Sequence, residues 1–225
     1  MWTLLFDIDG TLIRTGGAGM SAIGTTMFRM FGIEEVPDVP VHGRTDYGII
    51  EDLFRPFSID VDEHIHEFKE MYWELLPASL EDRGGTILPG VCELLSDLQA
   101  REGVALGIVT GNTARSAAIK LEHFGLSSFF DFGGYGDDHA DRNEVARLAK
   151  EAAEEHLDDQ FNPDKIWVIG DTANDIRCAR SIGSRVVALE TGGSEPEELR
   201  QANPDLMLTS LADQNVFIEH VLSTV

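Results

Sequence analysis

The spacing in this chain best suited to chemistry is Asp7-Ile8-Asp9. It closes the apolar run Leu4-Leu5-Phe6 and is followed by Gly10 and Thr11. A short apolar run closed by a glycine turn predicts a buried strand. In open α/β sheets, ligands collect outside the carboxyl ends of the strands. Strand alternation points Asp7 and Asp9 the same way if the chain stays extended. Two carboxylates that close need a cation or a shared proton to relieve them. Taken alone, the pair reads better as a strand ending in a polar turn, so the rest of the chain decides.

Three other strand ends carry comparable groups. Val104–Val109 is an apolar run ending in Thr110-Gly111-Asn112. Lys165–Ile169 ends in Gly170-Asp171-Thr172, with Asp175 in the following helix. Between them, Arg142 stands at a predicted helix start after an acidic loop. Parallel strands bring such ends to one edge although they lie far apart in sequence. The carboxylates Asp7, Asp9, Asp171 and Asp175 suggest Mg²⁺, which prefers oxygen ligands. A threonine hydroxyl, turn amides and a guanidinium are donors, and donors around a hard cation suit a phosphoryl group.

The elements that must position these groups alternate. From residue 88 onward, strands near 104–109, 129–132, 165–169, 185–189 and 205–208 are separated by helical spacing near 91–98, 114–124, 142–156, 174–182 and 213–222. That pattern predicts an α/β fold, a Rossmann-like parallel sheet covered on both faces. Residues 18–83 differ: apolar spacing predicts helices near 20–31, 46–54 and 63–76 and no convincing strand. The expected organisation is a core of residues 1–17 and 84–225 with an inserted, all-helical cap of residues 18–83. Gly16, Gly17, Gly84 and Gly85 lie where a pair of hinges would. Within the cap, Thr45 or Asp46 is the expected helix cap, and Gly43-Arg44-Thr45 could bring the Arg44 charge over the phosphate edge.

Composition narrows the partners. The 225 residues include 40 acidic and 17 basic ones, a net charge of −23. Such a surface repels phosphate backbones and anionic lipid, so neither nucleic acid nor membrane is an expected partner. A small anionic substrate would need local positive charge. Cys92 and Cys178 form no disulfide framework, and both are expected to be buried small apolar groups. No apolar run is long enough for a bilayer and no basic region precedes the first strand, so a cytoplasmic protein is expected, monomer or homodimer.

Asp7-Ile-Asp9-Gly-Thr11-Leu, Val109-Thr110-Gly111-Asn112 and Gly170-Asp171-Thr172-Ala-Asn-Asp175 stand in the order and at the strand ends of three signatures of the haloacid dehalogenase (HAD) superfamily, which the chain resembles. The remaining signature departs: members usually carry a lysine, often Lys-Pro, where this chain has Asp141-Arg142-Asn143-Glu144. Arg142 takes that place here, since Lys150 falls inside the helix; arginine keeps the charge but changes the geometry. The helical insertion resembles a C1-type cap, as in phosphoglycolate phosphatase-like and β-phosphoglucomutase-like members.

The resemblance implies a HAD-like fold and an enzyme that hydrolyses a small phosphorylated metabolite with Mg²⁺. Asp7 would be the nucleophile forming an aspartyl-phosphate, and Asp9 the acid and base. Mg²⁺ would sit on Asp7, the Asp9 carbonyl and Asp171, supported by Asp175. Thr110, Gly111, Asn112 and Arg142 would bind the phosphoryl oxygens, with Arg44 contributing from the cap. Phosphoglycolate or a sugar phosphate is the expected substrate. A phosphomutase shares the same aspartates, and a catalytically silent binding protein is the remaining alternative.

Overall fold

In a computed structural model, which describes residues 1–223, the chain opens with β1 (Trp2–Phe6) and a two-residue strand, β2 (Ile13–Arg14). Three helices follow: α1 (Ala18–Phe31), α2 (Asp46–Phe54) and α3 (Val61–Arg83). A second two-residue strand, β3 (Thr86–Ile87), returns the chain to α4 (Val91–Gln99). Alternation then runs β4 (Val104–Val109), α5 (Ala114–His123), β5 (Phe132–Gly134), α6 (Arg142–Leu157), β6 (Ile166–Gly170) and α7 (Ala173–Ser181). The chain closes with β7 (Arg185–Leu189), α8 (Pro196–Gln201), β8 (Leu206–Leu208) and α9 (Gln214–Ser223).

Six strands form one parallel sheet in the order β5-β4-β1-β6-β7-β8. The order reverses direction around β1, the position where such sheets gather ligands. β1 is buried on both faces by period-two alternation. Leu4 and Phe6 pack on one side with Leu94, Leu98, Phe217 and Val221 from α4 and α9. Leu5 packs on the other with Val145, Ala149 and Ile176 from α6 and α7. The same alternation splits β6, with Trp167 and Ile169 on the first face and Val168 on the second.

The helices between β2 and β3 have an apolar cluster of their own, built on Ile23, Met27, Ile50, Leu53, Phe54, Phe68, Tyr72 and Leu76. Phe54 is its centre, edge-on to both Phe31 and Phe68. Thr45 caps α2 by accepting the Gly48 N–H, as the sequence predicts. β2 and β3 pair antiparallel, Ile13 with Ile87 and Arg14 with Thr86, so the two connectors run as one ribbon. Gly16, Gly17 and Gly84 have positive φ there, a region other residues enter at a cost.

Three expectations shift. α3 does not end at Leu76 but continues through Pro77 to Arg83, because Leu76 and Leu80 both stay buried against the cluster. The strand expected near 129–132 is displaced to Phe132–Gly134, and residues 127–129 form a 3₁₀ turn instead. Its ring partner is a glycine: a Cβ on Gly107 would stand 2.3 Å from Phe132. Cys178 is buried, but Cys92 is exposed because it sits on the outer side of α4. The helix α8 and the β2–β3 pair carry too few residues to show a period.

Phe54→Ala deletes a fully buried ring from a cluster that is separate from the sheet. The expected cost is about 3–5 kcal/mol, read as a lower urea midpoint. A variant as stable as the parent would show that residues 18–83 do not rely on this packing.

Candidate active site

The ladder carries β1 as far as Asp7, whose N–H donates to the Ile169 carbonyl. The chain then turns sharply. Leu12 donates to the Ile8 carbonyl, Gly10 donates to Ile13, and Gly10 takes φ +88°. The extended geometry therefore stops after Asp7, yet Asp7 and Asp9 still line one cavity. Their environments differ: Asp7 is 5% exposed, while the Asp9 side chain is 39% exposed.

Arg142 reaches the site from the first residue of α6, as expected. Its guanidinium lies 2.9 Å from Asp7 Oδ1 and 2.5 Å from Asp175 Oδ1. Asp141 starts that helix by accepting the Asn143 N–H, which presents the next side chain to the strand ends. Lys150 points elsewhere, donating to the Ile182 carbonyl. Asp175 completes a capping box with Thr172. Its Oδ2 accepts from the Thr172 N–H at 2.9 Å and the Thr172 hydroxyl at 2.7 Å. Asp171 accepts from the Thr11 hydroxyl on Oδ1 and from the Gly193 N–H on Oδ2.

The β4 end supplies the other wall. Thr110 is fully buried, and its hydroxyl accepts from the Asn112 amide. Asn112 Nδ2 also donates to Asp9 Oδ2 at 2.8 Å. Gly111 permits a close approach: a Cβ there would stand 1.9 Å from the Arg44 carbonyl oxygen, and its own carbonyl accepts the Asp46 N–H. Gly43, at φ +65°, is pressed against Thr172 and Asn174 in the same way. The 42–46 loop thus lies directly on the strand ends.

Arg44 itself departs from expectation. The residue lines the cavity, but its guanidinium is bound to Asp52 at 2.5 Å and to the Gly48 carbonyl at 3.1 Å. Its charge is held within the α2 region by a nearby carboxylate. His139 and Tyr47 do not line the cavity, whereas His42 and Tyr72 do.

Three features went unread in the sequence. Lys120, on α5, is 5% exposed and places Nζ 2.6 Å from both Asp9 Oδ2 and Asn112 Oδ1. A signal was present: it shares the inward stripe of α5 with Ala117 and Leu121. Asp46, from α2, crosses to α5 and accepts the Thr113 N–H and the Ser116 hydroxyl. The Thr191–Gly193 turn after β7 closes the remaining side. Thr191 donates to the Gly10 carbonyl and accepts from Arg14. Together these groups line a half-open cavity of about 500 Å³, with the aspartates on one side and Met20, Ile23, Val41 and Ile49 on the other.

Comparison with known proteins agrees with this geometry. Residues 2–183 match the model of the haloacid dehalogenase-like hydrolases. The chain belongs to this hydrolase family. It is 25% identical to a phosphoglycolate phosphatase of Nitrosococcus oceani, over 93% of each chain. A phosphoglycolate phosphatase of Synechococcus elongatus is 28% identical over 95% of each. Among solved structures, CbbY from Rhodobacter sphaeroides in complex with phosphate has the same fold, with a TM-score of 0.75 at 22% identity, covering 95% of this chain and 96% of that one.

The donor set of the hydrolase fits a hard divalent cation. Oxygens of Asp7, Asp171 and Asp175 lie within 4.8 Å of one another, all buried. Burial pushes the Asp7 carboxyl up to about 7. Arg142 opposes that rise, while Asp175 and Asp9 add to it. Asp171 is also pushed well above the usual carboxylate range, by burial first and then by Asp175 and Asp7. Such a cluster gains from added positive charge. Glycines keep the space beside it, since a Cβ on Gly10 or Gly192 would fall 2.4 or 1.7 Å from Asp171 Oδ2. Both oxygens of Asp175 and both of Asp171 already accept from protein donors, so Asp7, held by Arg142 through Oδ1, is the freest ligand of the three.

The shift at Asp7 has a sign. The unfolded chain ionises this group near 3.8, whereas the folded, metal-stripped protein keeps the proton up to about 7. The folded state binds more protons between those values, so stability falls as pH rises through that window. Asp7→Asn removes the contribution. In metal-stripped protein it is expected to raise the Tm at pH 8, by roughly 2–4 °C for each kcal/mol recovered, and to leave it nearly unchanged below pH 4. Equal shifts at both pH values would contradict a buried, proton-holding Asp7.

Proposed function

We propose that this hydrolase is a Mg²⁺-dependent phosphatase of small phosphomonoesters, acting through an aspartyl-phosphate on Asp7. The observation that carries the reading is the pairing of a buried Asp7 with Arg142 at 2.9 Å, beside Asp9 in one cavity. On this reading residues 1–17 and 84–225 are a catalytic core. Residues 18–83 are a cap whose roof contacts the leaving group, with the β2–β3 ribbon as its hinge. The curated phosphoglycolate phosphatases make phosphoglycolate the first substrate to try, with sugar phosphates next.

A carboxylate is a weak nucleophile, so positioning and charge must supply most of the rate. Arg142 holds Asp7 from one side and remains cationic. Burial works against its charge, but Asp175 and Asp7 outweigh that and keep it protonated well above its ordinary range. Asp7, Asp171 and the Asp9 carbonyl would hold Mg²⁺, with Asp175 in support, and the bound ion would supply charge that offsets the phosphoryl oxygens.

In the first half-reaction an Asp7 oxygen forms a bond to phosphorus as the ester P–O bond breaks. The leaving oxygen takes its proton from Asp9. In the second, water attacks phosphorus, gives a proton back to Asp9, and the bond from phosphorus to Asp7 breaks to release inorganic phosphate. Thr110, the Gly111 and Asn112 turn and Arg142 bind the phosphoryl oxygens. Arg44, with its charge on Asp52, shapes the loop over them.

A phosphate-release screen over phosphoglycolate, sugar phosphates and other esters, with and without Mg²⁺, tests this reading. Release is expected with Mg²⁺ and is expected to stop with EDTA. Asp7→Asn is expected to abolish turnover with the fold intact. Asp9→Asn is expected to slow both half-reactions in single-turnover measurements, by roughly 10²-fold or more. Turnover retained by Asp7→Asn would reject the covalent route.

A further inference from the structure

The site holds a second buried cation, paired with Asp9 as Arg142 is paired with Asp7. Lys120 projects from the middle of α5, and its side chain is 6% exposed. Two of its three N–H donors are accounted for, one on Asp9 Oδ2 and one on Asn112 Oδ1, each at 2.6 Å. Asn112 closes a triangle by donating from Nδ2 to the same Asp9 Oδ2 at 2.8 Å, and to Thr110 Oγ1 at 2.8 Å. Asp9 Oδ2 thus accepts from two donors, one of them charged. Oδ1 accepts from none among the described residues.

That asymmetry has chemical content. An oxygen facing two donors has no room for a proton of its own, so a proton on Asp9 must sit on Oδ1. Lys120 and Asn112 also fix the rotation of the carboxylate, which would otherwise sweep freely at 39% exposure. General acid–base transfer needs the donor oxygen within hydrogen-bond reach of the reacting oxygen. We propose that Lys120 is the positioning residue for Asp9: it ties down Oδ2 so that Oδ1 faces the leaving group.

The surroundings hold Lys120 where this requires. Its ammonium lies under the first turn of α1, where a Cβ on Gly19 would stand 3.9 Å from Nζ. Asp46 acts on it electrostatically from α2, and burial alone would otherwise push that carboxyl up further. The lysine therefore meets groups of the helical layer and of the sheet together.

The proposal rests on the phosphatase reading, and its test separates the two. The kcat/KM value, which reports phosphorylation of the enzyme, is measured on p-nitrophenyl phosphate and on the alkyl phosphate that the parent protein hydrolyses fastest. The nitrophenolate needs little help to leave, whereas an alkoxide needs a well-placed proton. Lys120→Met is expected to lose roughly 10²-fold on the alkyl ester and less than about fivefold on the aryl ester. Lys120→Arg, which keeps a cation, is expected to recover part of the alkyl activity.

A parallel loss on both esters, or no loss on either, would overturn the positioning role. If Lys120→Met fails to fold by near-UV circular dichroism, the same two esters are compared on Lys120→Gln, with the same selective loss expected. No phosphate release by the parent protein from any ester would instead overturn the phosphatase reading itself.

Discussion

Like charges buried together at the end of β1 are the constraint on which this structure turns. Asp7, Asp171 and Asp175 lie within one cation's reach of each other and away from water. Three ionised carboxylates in that position are untenable without compensation. Arg142 supplies part of it, bridging Asp7 and Asp175. The Thr172 capping box, the Thr11 hydroxyl and the Gly193 amide supply more. The remaining imbalance appears as carboxyls held far above their ordinary range. Added positive charge would relieve such a cluster.

The helical layer is tied to the same edge by small residues and by one carboxylate. Gly43 and Gly111 let the 42–46 loop lie directly on the strand ends. Asp46 then spans from α2 to the N-terminus of α5, where a carboxylate is favoured by the exposed amides. Lys69 reaches the opposite loop at Asp137 and Asp138, and the Trp73 indole donates to Thr113. These contacts come from three separate elements, so the layer sits on the cavity as a fitted roof with a polar rim.

Much of the fold was legible because its signals are local. The apolar runs of β1, β4 and β6 each end in a polar turn. The helices between them carry a regular inward stripe, and residues 18–83 lack any run that could be a strand. Pro77 stands just past the expected end of α3, and a proline inside a helix normally ends it. Tertiary burial of Leu76 and Leu80 outweighed that local cost. The strand at Phe132 was misplaced because three residues of strand beside a 3₁₀ turn show no alternation.

The sequence by itself determined which residue types stand at the strand ends: Asp7 and Asp9, Thr110, Arg142, Asp171 and Asp175. A parallel sheet converts that list into one neighbourhood with no further information. Only the tertiary structure decided the pairings inside it. Arg44 was handed to Asp52, and Lys120 was brought to Asp9 from 111 residues away. The first is a local contact at α2, whereas the second turns on a few ångströms of side-chain reach between elements that meet only after folding. No period or motif in the chain encodes such a distance. A lysine on an inward helical face announces that a partner must exist, but only packing says which carboxylate it is.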